Sequence, residues 1–186
     1  MEGEEFLSGE EWRRWLSDNH SEAPEIWVVI QKKRSRKLGL RYEEAVDEAI
    51  CFGWIDGKMN RIDEDSFILR FSPRRKNSIW SRLNRERAER MIAAGRMAEA
   101  GLTAIEEAKS NGRWDSAYSS REEPNVPEDL EAALRRSPPA WKNFNNFPNS
   151  TKFQYVHWVE DAKREKTRLR RIGEVVLRAT KKIKPS

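Results

Sequence analysis

The chain has 186 residues, 36% of them charged and 37% hydrophobic, with a formal net charge of +5. Its single cysteine excludes an internal disulfide and any zinc site built on several thiolates. No apolar run approaches the roughly 20 residues needed to span a bilayer, so a membrane-spanning class is excluded too. Eight tryptophans spread along the whole length argue for a chain folded nearly throughout, because disordered segments are poor in aromatics. Residues 1–25 hold eight acids and two arginines, net −6, which leaves net +11 for the remainder. A basic body behind an acidic lead segment suits anionic partners or internal pairing of the two, and plain solubility explains it equally well. Met1-Glu2-Gly3-Glu4-Glu5 is acidic where a signal peptide would be basic and then apolar, so the expected compartment is the cytoplasm.

In chain order, Ser8-Gly9-Glu10-Glu11 fits a capping box, with Leu7 placed to staple onto Trp12 and with Trp12, Trp15 and Leu16 on one helical face. Ile26 to Ile30 is a short β-branched run that reads as a strand, and the basic run Lys32 to Lys37 follows as a loop or hairpin end. Tyr42 to Phe52 reads as a helix stopped by Gly53. Trp54 to Arg61 and Phe67 to Phe71 read as two strands joined by the turn Asp63-Glu64-Asp65-Ser66. A helix is predicted from about Ser78 to Ala94, with Ile79, Trp80, Leu83, Met91 and Ile92 inward, and another from about Glu99 to Ser110. Composition shifts at Ser119-Ser120-Arg121-Glu122-Glu123-Pro124, where a linker is expected. Beyond it every signal is helical. Pro127 sits at a first turn, Ser137-Pro138 restarts a helix, and Asn149 or Ser150 caps the next. The last helix places Leu169, Ile172, Val176, Ala179 and Ile183 on one stripe. The expected architecture is α+β: a small antiparallel sheet packed by helices over residues 1–120, then a helical module over 124–184.

Several segments carry a resemblance. They are Tyr42-Glu43-Glu44-Ala45-Val46, Cys51-Phe52-Gly53-Trp54-Ile55-Asp56-Gly57, Arg70-Phe71-Ser72-Pro73-Arg74-Arg75 and Ser78-x-Trp80-Ser81 with Asn84. Gly95-Arg96-Met97, Gly101 and Ala108-Lys109-x-x-Gly112-Arg113-Trp114 follow, then Val126 to Leu130 and the Tyr155 to Ile172 region. Together they resemble the bacteriocin-protection, YdeI/OmpD-associated family over most of residues 27–180. The resemblance implies protection against bacteriocins or cationic antimicrobial peptides and a link to an outer-membrane porin. These are phenotypes rather than a chemistry, and no catalytic residue is carried over.

The strongest site candidate is the stretch from Arg70 to Ser81. Arg74, Arg75 and Lys76 stand directly before the predicted helix start, with Asn77 and Ser78 as cap-capable side chains. A helix N-terminus carries roughly half a positive charge in unpaired N–H groups, and arginines fork onto phosphate or carboxylate. Arg70, Arg74, Arg75, Lys76, Asn77, Ser78 and Ser81 are therefore expected to bind a phosphate- or carboxylate-bearing ligand, supported by Asp56, Trp54, Trp80 and Asn84. The competing expectation is a solvated basic turn in which Ser78 only caps and Arg70 pairs with Asp56 across the hairpin.

Other candidates are weaker. Cys51 falls at a helix C-terminus, where the dipole disfavours a thiolate, and reads as structural. Asp56 with Asp63 or Asp65 has no separation that defines acid–base chemistry. Gly53-x-x-x-Gly57-Lys58 has one residue too few for a phosphate loop. His20 and His157 lack ligand spacing, so no metal and no cofactor are expected. Ten basic residues lie between Lys163 and Lys184, but interleaved acids such as Glu165 and Glu174 favour a solvated face over nucleic-acid binding. Three classes stay open: a protection protein binding an anionic ligand or partner, a nucleic-acid-binding module, and an enzyme acting on a small anionic substrate through Asp56 or Cys51. A net basic body does not itself attract cationic peptides, so an indirect role in protection fits the charge better than sequestration, unless the acidic segment before Ile26 does the sequestering.

Overall fold

In this computed structural model, residues 3–119 and 121–185 are described. Met1 and Glu2 of the acidic lead and Ser120 of the expected linker lie outside the described residues. The chain divides into two units, one ending at Ala117 and the other beginning at Tyr118. The first is α+β and the second is helical, eight helices and one three-stranded antiparallel sheet among the described residues.

The first helix, α1 (Gly9–Asn19), starts where Ser8 accepts the Glu11 N–H at 3.3 Å. The Glu11 carboxylate reaches back to the Leu7 N–H at 2.6 Å. The expected staple does not form with Leu7, which is 66% exposed. Glu4 pairs with β1 (Ile26–Gln31) through the Trp27 carbonyl and the Val29 N–H, and this extended lead turns Phe6 inward and Leu7 outward. Phe6 therefore takes the place against Trp12, with ring centroids 5.2 Å apart.

The helix α2 (Tyr42–Cys51) leads into β2 (Trp54–Arg61) and β3 (Ser66–Pro73). The sheet order is β1-β3-β2, and Asp56 stands opposite Phe71 and Trp27 opposite Arg70. One face of the sheet carries Ile26, Val28, Ile30, Leu69 and Phe71 into a core shared with Trp12, Leu16, Val46, Ile50 and Trp54. The indole N–H of Trp12 is satisfied by the Ala45 carbonyl at 3.0 Å, and that of Trp54 by the His20 carbonyl at 3.1 Å. Burying rings of this size contributes on the order of 1.5–3 kcal/mol each, enough to offset the scarcity of aliphatic runs.

The basic run after β1 folds back on the acidic turn. Lys32 donates to the Asp63 and Glu64 carbonyls, Arg34 to the Glu64 carbonyl, and Lys37 faces the Asp63 carboxylate at 3.5 Å. Asp63 accepts from the Ser66 hydroxyl and from the Asp65 and Ser66 N–H groups, which hold its carboxyl down at about 2. Internal pairing thus accounts for these cations.

The helix α3 (Arg82–Ala93) begins four residues later than the predicted start at Ser78. Leu83 and Ile92, expected inward, are exposed, and the buried face runs through Arg87 and Ala88 with Met91 packed beside them. The next helix, α4 (Glu99–Ser110), packs so closely that a Cβ on Gly101 would stand 2.2 Å from the Cys51 carbonyl oxygen. This contact explains the glycine.

The second unit contains α5 (Glu128–Arg135), α6 (Pro138–Asn145), α7 (Asn149–Glu160) and α8 (Glu165–Thr180). Pro127 and Pro148 occupy the cap positions of α5 and α7, so neither Asn149 nor Ser150 caps. Leu130, Leu134, Phe144, Tyr155 and Val159 form the core with Ile172, Val175 and Ala179 of α8. Leu169 and Ile183 drop out of the expected stripe, because the docked face follows the spacing 172, 175, 179 and they lie off it.

Candidate functional site

The chain from Pro73 to Ser81 runs from the end of β3 to the start of α3 without helix. Ser78 closes a turn, its N–H and hydroxyl both donating to the Arg75 carbonyl at 2.9 Å. Trp80 is buried against Trp114, with centroids 5.0 Å apart. With that ring anchored, Ser78 to Trp80 stay outside the helix, and Ser81 is the cap, accepting the Asn84 N–H at 3.1 Å. Asn84 thus takes part through its backbone N–H. The predicted convergence of cations and free N–H groups at a Ser78 helix start does not occur.

The three cations part company. Arg74 turns inward and stacks on Trp80, its guanidinium 3.8 Å from the ring centroid, and donates toward the Ser78 hydroxyl and the Ile79 carbonyl. Arg75 and Asn77 are exposed. Lys76 is exposed, with Glu107 at 3.9 Å, and its carbonyl is held by the Asn111 side chain at 2.9 Å. No acid stands in the first turn of α3.

Arg70 and Asp56 do not pair. Asp56 shares the side of the sheet with Phe71, whereas Arg70 projects from the other, where it meets Glu25 at 3.3 Å beside Trp27. The Arg70 guanidinium lies across Gly57, inside the bulge between Asp56 and Met59, 3.3 Å from where a Cβ would stand. Trp54 belongs to the core rather than to a ligand surface.

Asp56 instead joins a cluster that the sequence did not mark. It accepts a hydrogen bond from the Tyr42 hydroxyl at 3.1 Å, near Arg74 and Arg87. Burial pushes its carboxyl up, opposed by that hydrogen bond and by the two arginines. Burial and the facing Asp56 push the Tyr42 phenol up as well. Arg87 is buried, donates to Asp47 at 2.6 Å and to the Glu43 carbonyl, and leaves its Nε without a hydrogen-bond partner. The spacing Asn84, Arg87, Ala88, Met91 was the available signal: a cation at i+3 on an inward stripe.

Cys51 is buried with its thiol pushed up to about 11, by burial first and by Glu48 next. That environment makes it a poor nucleophile at neutral pH. Glu48 is held between Arg13 and Arg96, both at 2.6 Å, and Arg96 also reaches Glu10. No group of three or more His, Cys, Asp or Glu side chains placed for a metal occurs among the described residues. No helix among them is long and apolar enough to cross a membrane.

Fold and site together define an α+β unit stitched by arginines, followed by a separate helical unit with basic flanks. Residues 5–104 match the family model of a domain of unknown function, DUF8412, and the chain belongs to that family. Residues 123–181 match the model described as bacteriocin-protection, YdeI or OmpD-associated, so the resemblance expected over most of residues 27–180 is matched over the second unit, and its segments from Tyr42 to Gly101 fall in the DUF8412 match instead. No curated protein and no solved structure matches the chain.

Proposed function

We propose that this is a binding protein of the bacteriocin-protection class, acting in the cytoplasm and engaging an anionic ligand or partner at the β3–α3 loop. The observation that carries the reading is the construction of that loop. Arg74 is stacked inward on Trp80, and its neighbours Arg75 and Lys76 are turned outward on a backbone pinned at Arg75, Lys76 and Ser81. A pinned backbone holds two cations beside an acid-free helix start, and less entropy is lost on binding than from a free loop. The ligand class is a phosphate or carboxylate, which arginine and lysine meet with charge-assisted hydrogen bonds. Protection then works indirectly, through a ligand or partner, since the chain shares the positive sign of the peptides it would counter.

Thermal unfolding of the wild type and of Arg75→Ala/Lys76→Ala in inorganic phosphate, nucleotides and heparin tests this. At about ten times the dissociation constant a ligand stabilises by about 1.4 kcal/mol. The wild type should therefore melt a few degrees higher with at least one of these anions, and the double variant should not. Equal shifts in both proteins would remove the loop from the account.

A further inference from the structure

The second unit ends in an unusual cap. The N–H of Ile183 bonds the Arg178 carbonyl at 2.9 Å and that of Lys182 bonds the Ala179 carbonyl at 3.1 Å, which is a Schellman ending of α8. Its left-handed position, φ 55°, is filled by Lys182 where glycine is the unstrained choice. The Tyr155 hydroxyl donates to the Ile183 carbonyl at 2.6 Å and fixes the turned-back tail. In this motif the residue after the left-handed one usually packs onto the helix. Here Ile183 stays 46% exposed, near Leu177 at 49%. Both side chains line a shallow, solvent-open depression together with Arg178, Lys181, Lys184 and Glu174.

Its surroundings are strongly positive. Residues 163–184 hold ten basic side chains and two acids, net +8. Glu174 is already engaged by Arg178 at 2.6 Å. Lys166, Arg170, Lys181 and Lys184 have no carboxylate within 4.0 Å among the described residues. The expected neutralisation by interleaved acids is therefore confined to one pair on this helix.

We propose that the C-terminal end of α8 docks an acidic polypeptide segment carrying an apolar anchor. The anchor seats between Leu177 and Ile183, and its flanking carboxylates meet Lys181, Lys184 and Arg170. Charge complementarity selects an acidic partner, and the walls select an apolar side chain within it. A nucleic-acid strand fits less well, because no aromatic ring lines the depression to stack a base. A membrane surface asks for a broad apolar face, and among the described residues the exposed large hydrophobics of this unit are Leu169, Leu177 and Ile183. The two Schellman bonds and the Tyr155 hydroxyl hold the second wall, Ile183, in place, against the left-handed conformation of Lys182. This surface lies in the other unit from the β3–α3 loop and stands or falls separately.

The test is fluorescence anisotropy of the full chain with a labelled helical peptide of glutamate and aspartate bearing leucine at every fourth position. Binding should weaken about tenfold or more in Leu177→Ser, and likewise in Lys181→Glu/Lys184→Glu. It should weaken similarly when the peptide leucines become serine. Leu177 is half-exposed, so the serine variant should keep its melting temperature, and Ile183→Ser serves as the second anchor variant. Equal affinity for the leucine-free peptide would overturn the proposal, leaving charge alone. Tighter binding to an oligothymidine strand or to phosphatidylserine vesicles would overturn it in favour of those partners. No binding to the leucine-bearing peptide would also overturn it.

Discussion

The two units differ in what most of their named cations meet, although each buries one against a carboxylate, Arg87 on Asp47 and Lys152 on Glu123. In the first, arginines are drawn into the structure: Arg87 onto Asp47, Arg13 and Arg96 onto Glu48, Arg74 onto Trp80, and Arg41 onto the Lys32 and Ser35 carbonyls. In the second, Arg168 meets Asp129 and Arg171 meets the Trp158 carbonyl, but the outer face of α8 leaves Lys166 and Arg170 to solvent. Basic residues are similarly dense in both, 21 of 117 residues in the first unit and 15 of 69 in the second, but acids number 22 in the first and 9 in the second. The difference is whether a carboxylate, a carbonyl or a ring waits at the place to which the fold brings the guanidinium. Binding function is better sought where nothing waits.

Arg87→Ala is the harshest test of that contrast. It removes a buried guanidinium from Asp47 and from the neighbourhood of Tyr42 and Asp56. Breaking a buried pair from one side costs about 3–5 kcal/mol. Six of the eight tryptophans lie in the first unit, so urea unfolding followed by tryptophan emission reads this loss directly. A change below about 1 kcal/mol would mean that the inward arginines are ornaments of the fold rather than its braces.

A smaller effect separates the two serines at the start of α3. Ser81→Ala removes the cap and should cost about 1 kcal/mol, whereas Ser78→Ala removes a hydroxyl bonded to a turn carbonyl and should cost less. The reverse order, measured by the same urea titration, would put the helix start back at Ser78.

That pair of serines also marks where the sequence stops being legible. Strand positions, the α2 and α4 spans and the α+β class follow from local pattern, because alternation and glycine stops are read within a few residues. The start of α3 does not, since the choice between Ser78 and Ser81 depends on Trp80 reaching Trp114, a contact 34 positions away in the chain. The candidate site was half legible. The loop cations Arg75 and Lys76 are outward rather than converging on a helix start, and the rival expectation, an Arg70–Asp56 pair across the hairpin, does not form. The register places them on opposite faces, and between Asp56 and Met59 lies a bulge whose signal in the sequence is Gly57, a lone glycine inside a strand. Tyr42 and Arg87 were invisible as partners of Asp56 because three elements bring them together.

The acidic turn offers a gentler perturbation. Asp63 is held at about 2, below the 3.8 of an ordinary Asp, by the Ser66 hydroxyl and two backbone N–H groups. Its stabilising contribution is complete above the ordinary value and is lost as the pH falls through the depressed one. Stability of the wild type should decline between about pH 4 and pH 2, with the 32–37 loop released from the turn. Asp63→Asn should flatten that decline in a pH series of thermal melts. An unchanged slope would show that the basic loop is held by the Asp63 and Glu64 carbonyls alone.

The smallest expected effect is the most informative about the second unit. Lys166→Ala/Arg170→Ala alters two exposed side chains for which no carboxylate lies within 4.0 Å among the described residues. Exposed substitutions of that kind stay within about 0.5 kcal/mol of neutral. Removing two like charges from a segment of net +8 also relieves repulsion, so the sign should be neutral to slightly stabilising, and more so at low salt. Thermal melts at two ionic strengths measure both. A clear destabilisation would mean that these cations have partners within the fold after all, and the outward face of α8 would then be structural like the arginines of the first unit. A neutral result leaves a dense positive surface that folding does not require, which is the condition a docking surface must satisfy.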